Sequence, residues 1–204
     1  MTGIHPIEVE SYRILAERVD LSALAPLDRA VVERMVHSTA DLSFVESARI
    51  GERATAALLD AVTAGAPVIV AAAMVAAGIT RHPTTCYLAR VPVAPPGSTR
   101  SAAAFELAAA EHPTGAVFVC GNAPTALFAL LDLHAAGRVE PAAVVGLPVG
   151  FVGAAESKAA LWDSPLAPVS ITNVGERGGS PVAAGAVNAI VRAAHSLDET
   201  SGAS

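Results

Sequence analysis

The chain has 204 residues, of which 52% are apolar and 16% charged, a balance that excludes an intrinsically disordered protein. Lys and Arg number 13 against 19 Asp and Glu, giving a formal charge of −6 without the basic excess of a nucleic-acid binder. The longest apolar stretch, Val68 to Ile79, is too short to span a bilayer, and the first ten residues lack the apolar core of a signal peptide.

In chain order, the first third reads as helical. Helices are expected over Pro6–Asp20, Pro26–Ser38 and Ser47–Ala64, the last ended by Gly65 and Pro67. From there, short apolar runs alternate with Ala-rich helical runs. The expected strands are Pro67–Ala71, Thr85–Val91, Ala116–Cys120, Ala142–Leu147 and Val169–Asn173. Between and after them come helices over Met74–Gly78, Thr99–Glu111, Pro124–Ala136, Ala154–Trp162 and Ser180–Ala194. Continuous rather than alternating apolar strands imply burial on both faces. The fold class is therefore α/β, with a mostly parallel five-stranded sheet between helical layers and preceded by N-terminal helices. One domain is expected over residues 1–195, followed by a polar, disordered tail over 196–204.

Ligands of such sheets sit beyond the carboxyl ends of the strands. Three of those ends carry glycine beside turn-forming residues: Gly121-Asn122-Ala123-Pro124-Thr125, Gly146 to Gly153, and Asn173 to Ser180. Each precedes a helix, whose free N–H groups favour an anion. A ligand with several carboxylates or phosphates suits three such loops side by side, although tight turns use the same residues. None has the spacing of a dinucleotide fingerprint or a P-loop. Arg100 at a helix start, Lys158 and Arg177 are candidate carboxylate partners, each also compatible with a plain surface role.

Of six histidines, His37 stands out, in the last turn of the second helix. A helix C-terminus and Glu33, four residues earlier, both favour imidazolium, the form a proton donor needs. No two histidines have metal-ligand spacing, so no bound metal is expected. Cys86 and Cys120 form neither a metal motif nor a disulfide framework, which fits a reducing, cytoplasmic setting. No activated serine motif is present. One acid among many anion contacts is what remains, and it does not by itself single out a reaction.

Six stretches together resemble the precorrin-8X methylmutases of cobalamin biosynthesis. They are Glu33 to His37, Met74 to Thr80, Ser98 to Ala104, Gly121 to Phe128, Gly146 to Lys158, and Arg177 to Ser180. The resemblance runs from about His5 to Arg192, and the block Gly146–Lys158 is its most specific part. It implies a flavodoxin-like α/β/α sandwich and a homodimer with the site near the subunit interface. The implied reaction moves a methyl group from carbon 11 to carbon 12 of the macrocycle, with His37 protonating the ring. No cofactor is implied. The implied partner is precorrin-8X or cobalt-precorrin-8, with no nucleic acid and no membrane.

The implied substrate-binding residues are Met74, Val75, Arg81, Thr99, Arg100, Ser101, Gly121, Asn122 and Thr125. Gly150, Phe151, Val152, Lys158, Arg177, Gly178, Gly179 and Ser180 complete the set. Two departures stand out. Ala71 occupies a position where many members carry Asp, and His37 is followed by Ser38-Thr39-Ala40 rather than Ala-Cys-Gly. A corrinoid carrier without chemistry, or an enzyme of the cobalt-containing route, stays open beside the metal-free isomerase.

Overall fold

The computed structural model describes residues 5–201. Three helices come first: α1 (Pro6–Arg18), α2 (Pro26–His37) and α3 (Ser43–Ser47). Then follow β1 (Ala48–Ile50), α4 (Ala54–Thr63), β2 (Val68–Val70), α5 (Ala73–Gly78) and β3 (Thr85–Cys86). The second half contains α6 (Arg100–Glu111), β4 (Val117–Cys120), α7 (Pro124–Ala135), β5 (Ala143–Gly146), α8 (Ala154–Trp162), β6 (Ser170–Asn173) and α9 (Ser180–Ser201). Pro sits in the first turn of α1, α2 and α7, where its missing N–H costs nothing. Thr99 caps α6, its Oγ1 accepting from the Ala102 N–H at 3.2 Å.

The sheet has six strands in the order β1-β6-β5-β4-β2-β3. All neighbours are parallel except β1, which pairs antiparallel with β6 through Ala48↔Asn173 and Ile50↔Ile171. Successive strand residues alternate between two cores. Val68, Val70, Val117, Val119 and Val145 pack on the layer holding α2, α4 and α9. Ile69, Phe118, Cys120 and Val144 pack on the layer of α6, α7 and α8. Burial on both faces explains why the strands read as unbroken apolar runs. The result is a three-layer α/β/α sandwich. Its five parallel strands have the flavodoxin-like order, which reverses between β2 and β4.

The structure corrects three expectations. The sheet has six strands rather than five, because Ala48–Ile50, expected within a helix, pairs with the distant strand Ser170–Asn173. The Gly51 N–H continues that pairing to the Ser170 carbonyl at 2.9 Å, and the helix begins only at Ala54. The expected strand Thr85–Val91 stops after Cys86 and turns into a 3-10 helix over Tyr87–Arg90. Side chains of α6 take over this segment: Arg100 Nε and Nη2 donate to the Val91 and Leu88 carbonyls at 2.6 and 3.0 Å. At its other end Tyr87 Oη donates to Glu111 Oε2 at 2.8 Å, and both terminal nitrogens of Arg90 donate to the same carboxylate. Finally, α9 runs to Ser201 instead of ending at Ala194, so the expected tail starts as helix; residues 202–204 lie outside the described residues. Among the described residues no helix is long and apolar enough to cross a membrane.

Candidate active site

The strand order places a topological switch point between β2 and β4. The segments that leave these strands are Ala71–Ala72 and Gly121–Ala123, and the glycine-rich loops after β5 and β6 lie beside them. Backbone hydrogen bonds join the loops: the Gly150 N–H donates to the Glu176 carbonyl at 3.1 Å and the Gly179 N–H to the Leu147 carbonyl at 2.9 Å. Two glycines are required by close packing. A Cβ on Gly178 would lie 2.4 Å from both the Leu147 and Pro148 carbonyl oxygens. On Gly121 it would lie 2.9 Å from Ser180 Cα at the start of α9. Ser180 itself is buried in that first turn.

Thr99 and Thr125, at the starts of α6 and α7, share a 2.7 Å hydroxyl hydrogen bond and line a groove of about 450 Å³ between those helices. Half-buried Ser101 follows in the first turn of α6, and Asn122 is exposed after β4. Phe151 and Val152 project from the β5–α8 loop, 89% and 88% exposed, and Met74 at the start of α5 is 69% exposed. These residues lie beyond the carboxyl ends of the strands.

Four expected contacts are placed differently. Val75 is fully buried, facing the core from α5, so it is packing and not a ligand surface. Arg81 follows α5, and its carbonyl lies 3.0 Å from His195 Nε2. His195 is 15 residues along α9 from Ser180, about 22 Å at helical rise, so Arg81 does not join the glycine loops. Arg100 spends two guanidinium donors on carbonyls of its own chain, as described above, and serves as a clamp on the 88–91 turn.

Lys158 is 1% exposed and points inward. Its Nζ donates to Asn173 Oδ1 at 3.0 Å and to the Arg177 carbonyl, both uncharged acceptors. Burial without a carboxylate partner pushes its pKa down to about 8. Asn173 Nδ2 donates to the Val174 and Arg177 carbonyls at 3.1 and 3.0 Å. Lys158 and Asn173 thus brace the β6–α9 loop from behind.

Arg177 projects from that loop and donates to Asp41 Oδ2 and to Ser43 Oγ, the latter at 3.0 Å. The hydroxyl and backbone N–H of Ser43, together with Arg177, hold the Asp41 carboxyl below its ordinary pKa against a small opposing effect of burial. Asp41 lies four residues after His37, so this ion pair ties the histidine's loop to the glycine loop across 136 residues of sequence.

His37 occupies the last turn of α2 and lines a mostly apolar cavity of about 330 Å³ with Ser11, Ile14, Val36, Ala40 and Leu42. Its Nδ1 is 2.8 Å from Ser11 Oγ, and its ring stacks on Tyr12 at 5.1 Å between centroids, 14° from parallel. Glu33, expected to support it, instead faces Arg29 at 3.9 Å. Adjacent Arg34 donates to Glu8 Oε1 at 2.7 Å. Burial pulls the Glu8 carboxyl up, but the Arg192 hydrogen bond and the charges of Arg192, Arg34 and His37 outweigh it and hold its pKa below the ordinary value. Ser11, Tyr12, Glu8 and Asp41 carried no signal in the sequence; their roles come from helix packing alone.

Ala71, where the resemblance leads one to expect Asp, is fully buried in the core under α6 and α7. A carboxylate at this point would need a partner inside the core, and the small methyl group fits the packing without one.

The arrangement defines a flavodoxin-like α/β/α protein with a candidate proton donor and a crest of glycine loops beside exposed apolar side chains. Comparison with known proteins makes the class specific. The precorrin-8X methylmutase family model matches residues 6–193. The cobalt-precorrin-8 methylmutase of Methanothermobacter thermautotrophicus is 39% identical over 193 residues, 92% of each chain. The precorrin-8X methylmutase of Pseudomonas aeruginosa is 42% identical, covering 89% of this chain and 91% of that one. The crystal structure of the Thermus thermophilus precorrin-8x methyl mutase superposes with a TM-score of 0.84 at 35% identity, covering 94% and 96% of the two chains. The chain belongs to the precorrin-8X methylmutase family.

Proposed function

We propose that the chain is an isomerase that moves a methyl group from carbon 11 to carbon 12 of a precorrin-8 macrocycle in cobalamin biosynthesis, with His37 as the proton donor. The single observation that carries this reading is the placement of His37: half-buried at a helix end, oriented by a hydroxyl and an aromatic ring and opening on a mostly apolar cavity. Protonation at one nitrogen localises positive charge in the conjugated ring and weakens the bond to the migrating methyl. Both ends of the shift lie within one molecule, so what the protein supplies is a fixed geometry and a proton.

The substrate's acetate and propionate arms meet Thr99, Ser101, Asn122, Thr125, Arg177 and the backbone of Gly121, Gly150, Gly178, Gly179 and Ser180. Free N–H groups and helix starts suit carboxylates. Met74, Phe151 and Val152 offer the apolar surface for the macrocycle. Lys158 and Arg100 act behind this layer, on the loops. The protein is cytoplasmic and works as one domain without a cofactor.

A visible spectrum followed over time with metal-free precorrin-8X, and separately with its cobalt counterpart, tests the reaction. Conversion to the hydrogenobyrinate or the cobyrinate spectrum is the expected result and identifies the form used. Bound spectra that never change with either compound contradict the isomerase and favour the carrier.

The proposal includes a homodimer. A crest with two aromatic or branched side chains nearly fully exposed, joined by Val149 and Val174, is costly to leave in water and suits a shared site. Sedimentation velocity at micromolar concentration is expected to show a dimer, and Phe151→Asp to shift it toward monomer. A wild-type monomer contradicts this part.

A further inference from the structure

We propose that Ser11 and Tyr12 are positioning residues for His37, holding the imidazole with Nδ1–H bonded to Ser11 and leaving Nε2 as the atom that exchanges the proton. This deepens the reading of His37 as the donor and rests on it.

The two residues are neighbours on α1 and engage the ring differently. Ser11 Oγ meets its edge, 2.8 Å from Nδ1. The Tyr12 ring lies against its face, 5.1 Å between centroids. The edge contact sets which nitrogen turns toward α1, and the stack sets the ring plane. Together they fix both side-chain torsions of the histidine.

The support is itself held in place. Arg34 Nη1 donates to Tyr12 Oη at 3.2 Å and to Glu8 Oε1 at 2.7 Å. Arg192 Nη2, from α9, donates to the same Glu8 oxygen at 2.9 Å. Glu8 therefore fastens α1 to α2 and α9, and carries Ser11 and Tyr12 to the ring.

The choice of a hydroxyl has a chemical consequence. A donor that must also take the proton back at Nε2 passes through the neutral ring protonated at Nδ1. Ser11 Oγ accepts from Nδ1–H in that state and in the imidazolium alike. A carboxylate there would favour the imidazolium and retain the proton.

The charged groups around the ring are largely paired. Glu8 is shared by Arg34 and Arg192, Glu10 by Arg13, Glu33 faces Arg29, and Asp41 holds Arg177. Arg18, also lining the cavity, is exposed.

The test uses the full chain with nitrogen-15-labelled histidine. At alkaline pH the wild-type His37 resonances are expected to report a proton on Nδ1. In Ser11→Ala they move toward the Nε2–H form, and Ser11→Thr restores the wild-type pattern. Alanine is the best helix former, so the variant keeps α1. Turnover in Ser11→Ala is expected to fall about 10²-fold, the scale set by misplacing a reacting group, with KM within about twofold. Tyr12→Phe retains the stack and most of the turnover, whereas Tyr12→Ala does not.

An unchanged tautomer in Ser11→Ala overturns the positioning role whatever the activity. A changed tautomer with wild-type turnover also overturns the proposal, and it places the fault in the donor role of His37 and not in the ring geometry.

Discussion

Replacing His37 with Ala is expected to reduce turnover by about 10²- to 10⁴-fold, the usual contribution of a positioned proton donor. Binding of the macrocycle should survive within a few-fold. His37 lies on the α1–α2 side of the molecule, in a cavity that includes none of the crest residues proposed to bind carboxylates. The fold should survive as well. The ring is half-buried and its partners Ser11 and Tyr12 remain on α1, anchored through Glu8. The measurement is a single-turnover spectrum beside a binding titration on the same preparation. Turnover within tenfold of wild type in a variant that binds normally would remove His37 from the chemistry. Loss of binding together with turnover would make it a substrate contact instead.

Gly178→Ala is expected to have the second large effect, through the backbone. Its new Cβ would sit 2.4 Å from two carbonyl oxygens, those of Leu147 and Pro148, and no side-chain rotation can relieve a clash with main-chain atoms. Either the β5–α8 loop or the β6–α9 loop has to move. Overpacking of this kind costs roughly 3 kcal/mol, at the upper end of its usual range. Urea unfolding should show the midpoint lowered with an unchanged slope, since the surface exposed on unfolding is the same. The same shift separates the Gly179 N–H from the Leu147 carbonyl and displaces Ser180 at the head of α9. KM should therefore rise more than kcat falls. Wild-type stability and KM would show that the two loops are not held in register by this contact.

The two variants address different parts of one machine. In the proposed reading the glycine crest places the ligand and the α1–α2 corner supplies the proton. The Arg177–Asp41 ion pair joins them directly, from the loop before α9 to the loop after His37. Within one chain, His37, the Thr99–Thr125 pair and Lys158 line three separate cavities. A macrocycle that touches both parts must bridge them, which fits a site completed by a second copy.

Much of this was legible in the sequence because it is local. Strands buried on both faces must be apolar throughout, so Val117–Cys120 and Ala143–Gly146 announced themselves without any partner in view. Glycine and proline mark the strand ends because only they suit the turns required there, and the resemblance of Gly146–Lys158 to the methylmutases rests on that block. Helix α8 has the bounds its sequence pattern predicts, and His37 lies in the last turn of its helix as its spacing predicts.

What tertiary structure alone decided involves pairing across the chain. Ala48–Ile50 is a strand only because β6 offers an edge. Tyr87–Arg90 leaves the sheet because Arg100 and Glu111, both on α6, capture its ends. Whether a cation faces ligand or protein is also decided by tertiary contacts: Lys158 turns inward to Asn173 and Arg100 to the turn before it, whereas Arg177 stays exposed beside Asp41. Nothing in the spacing of Ser11 or Tyr12 marks them as partners of a histidine 26 and 25 residues away. Sequence periodicity reports which side of an element is buried. It carries no information on which distant element arrives there, and the orientation of the His37 ring depends on that arrival.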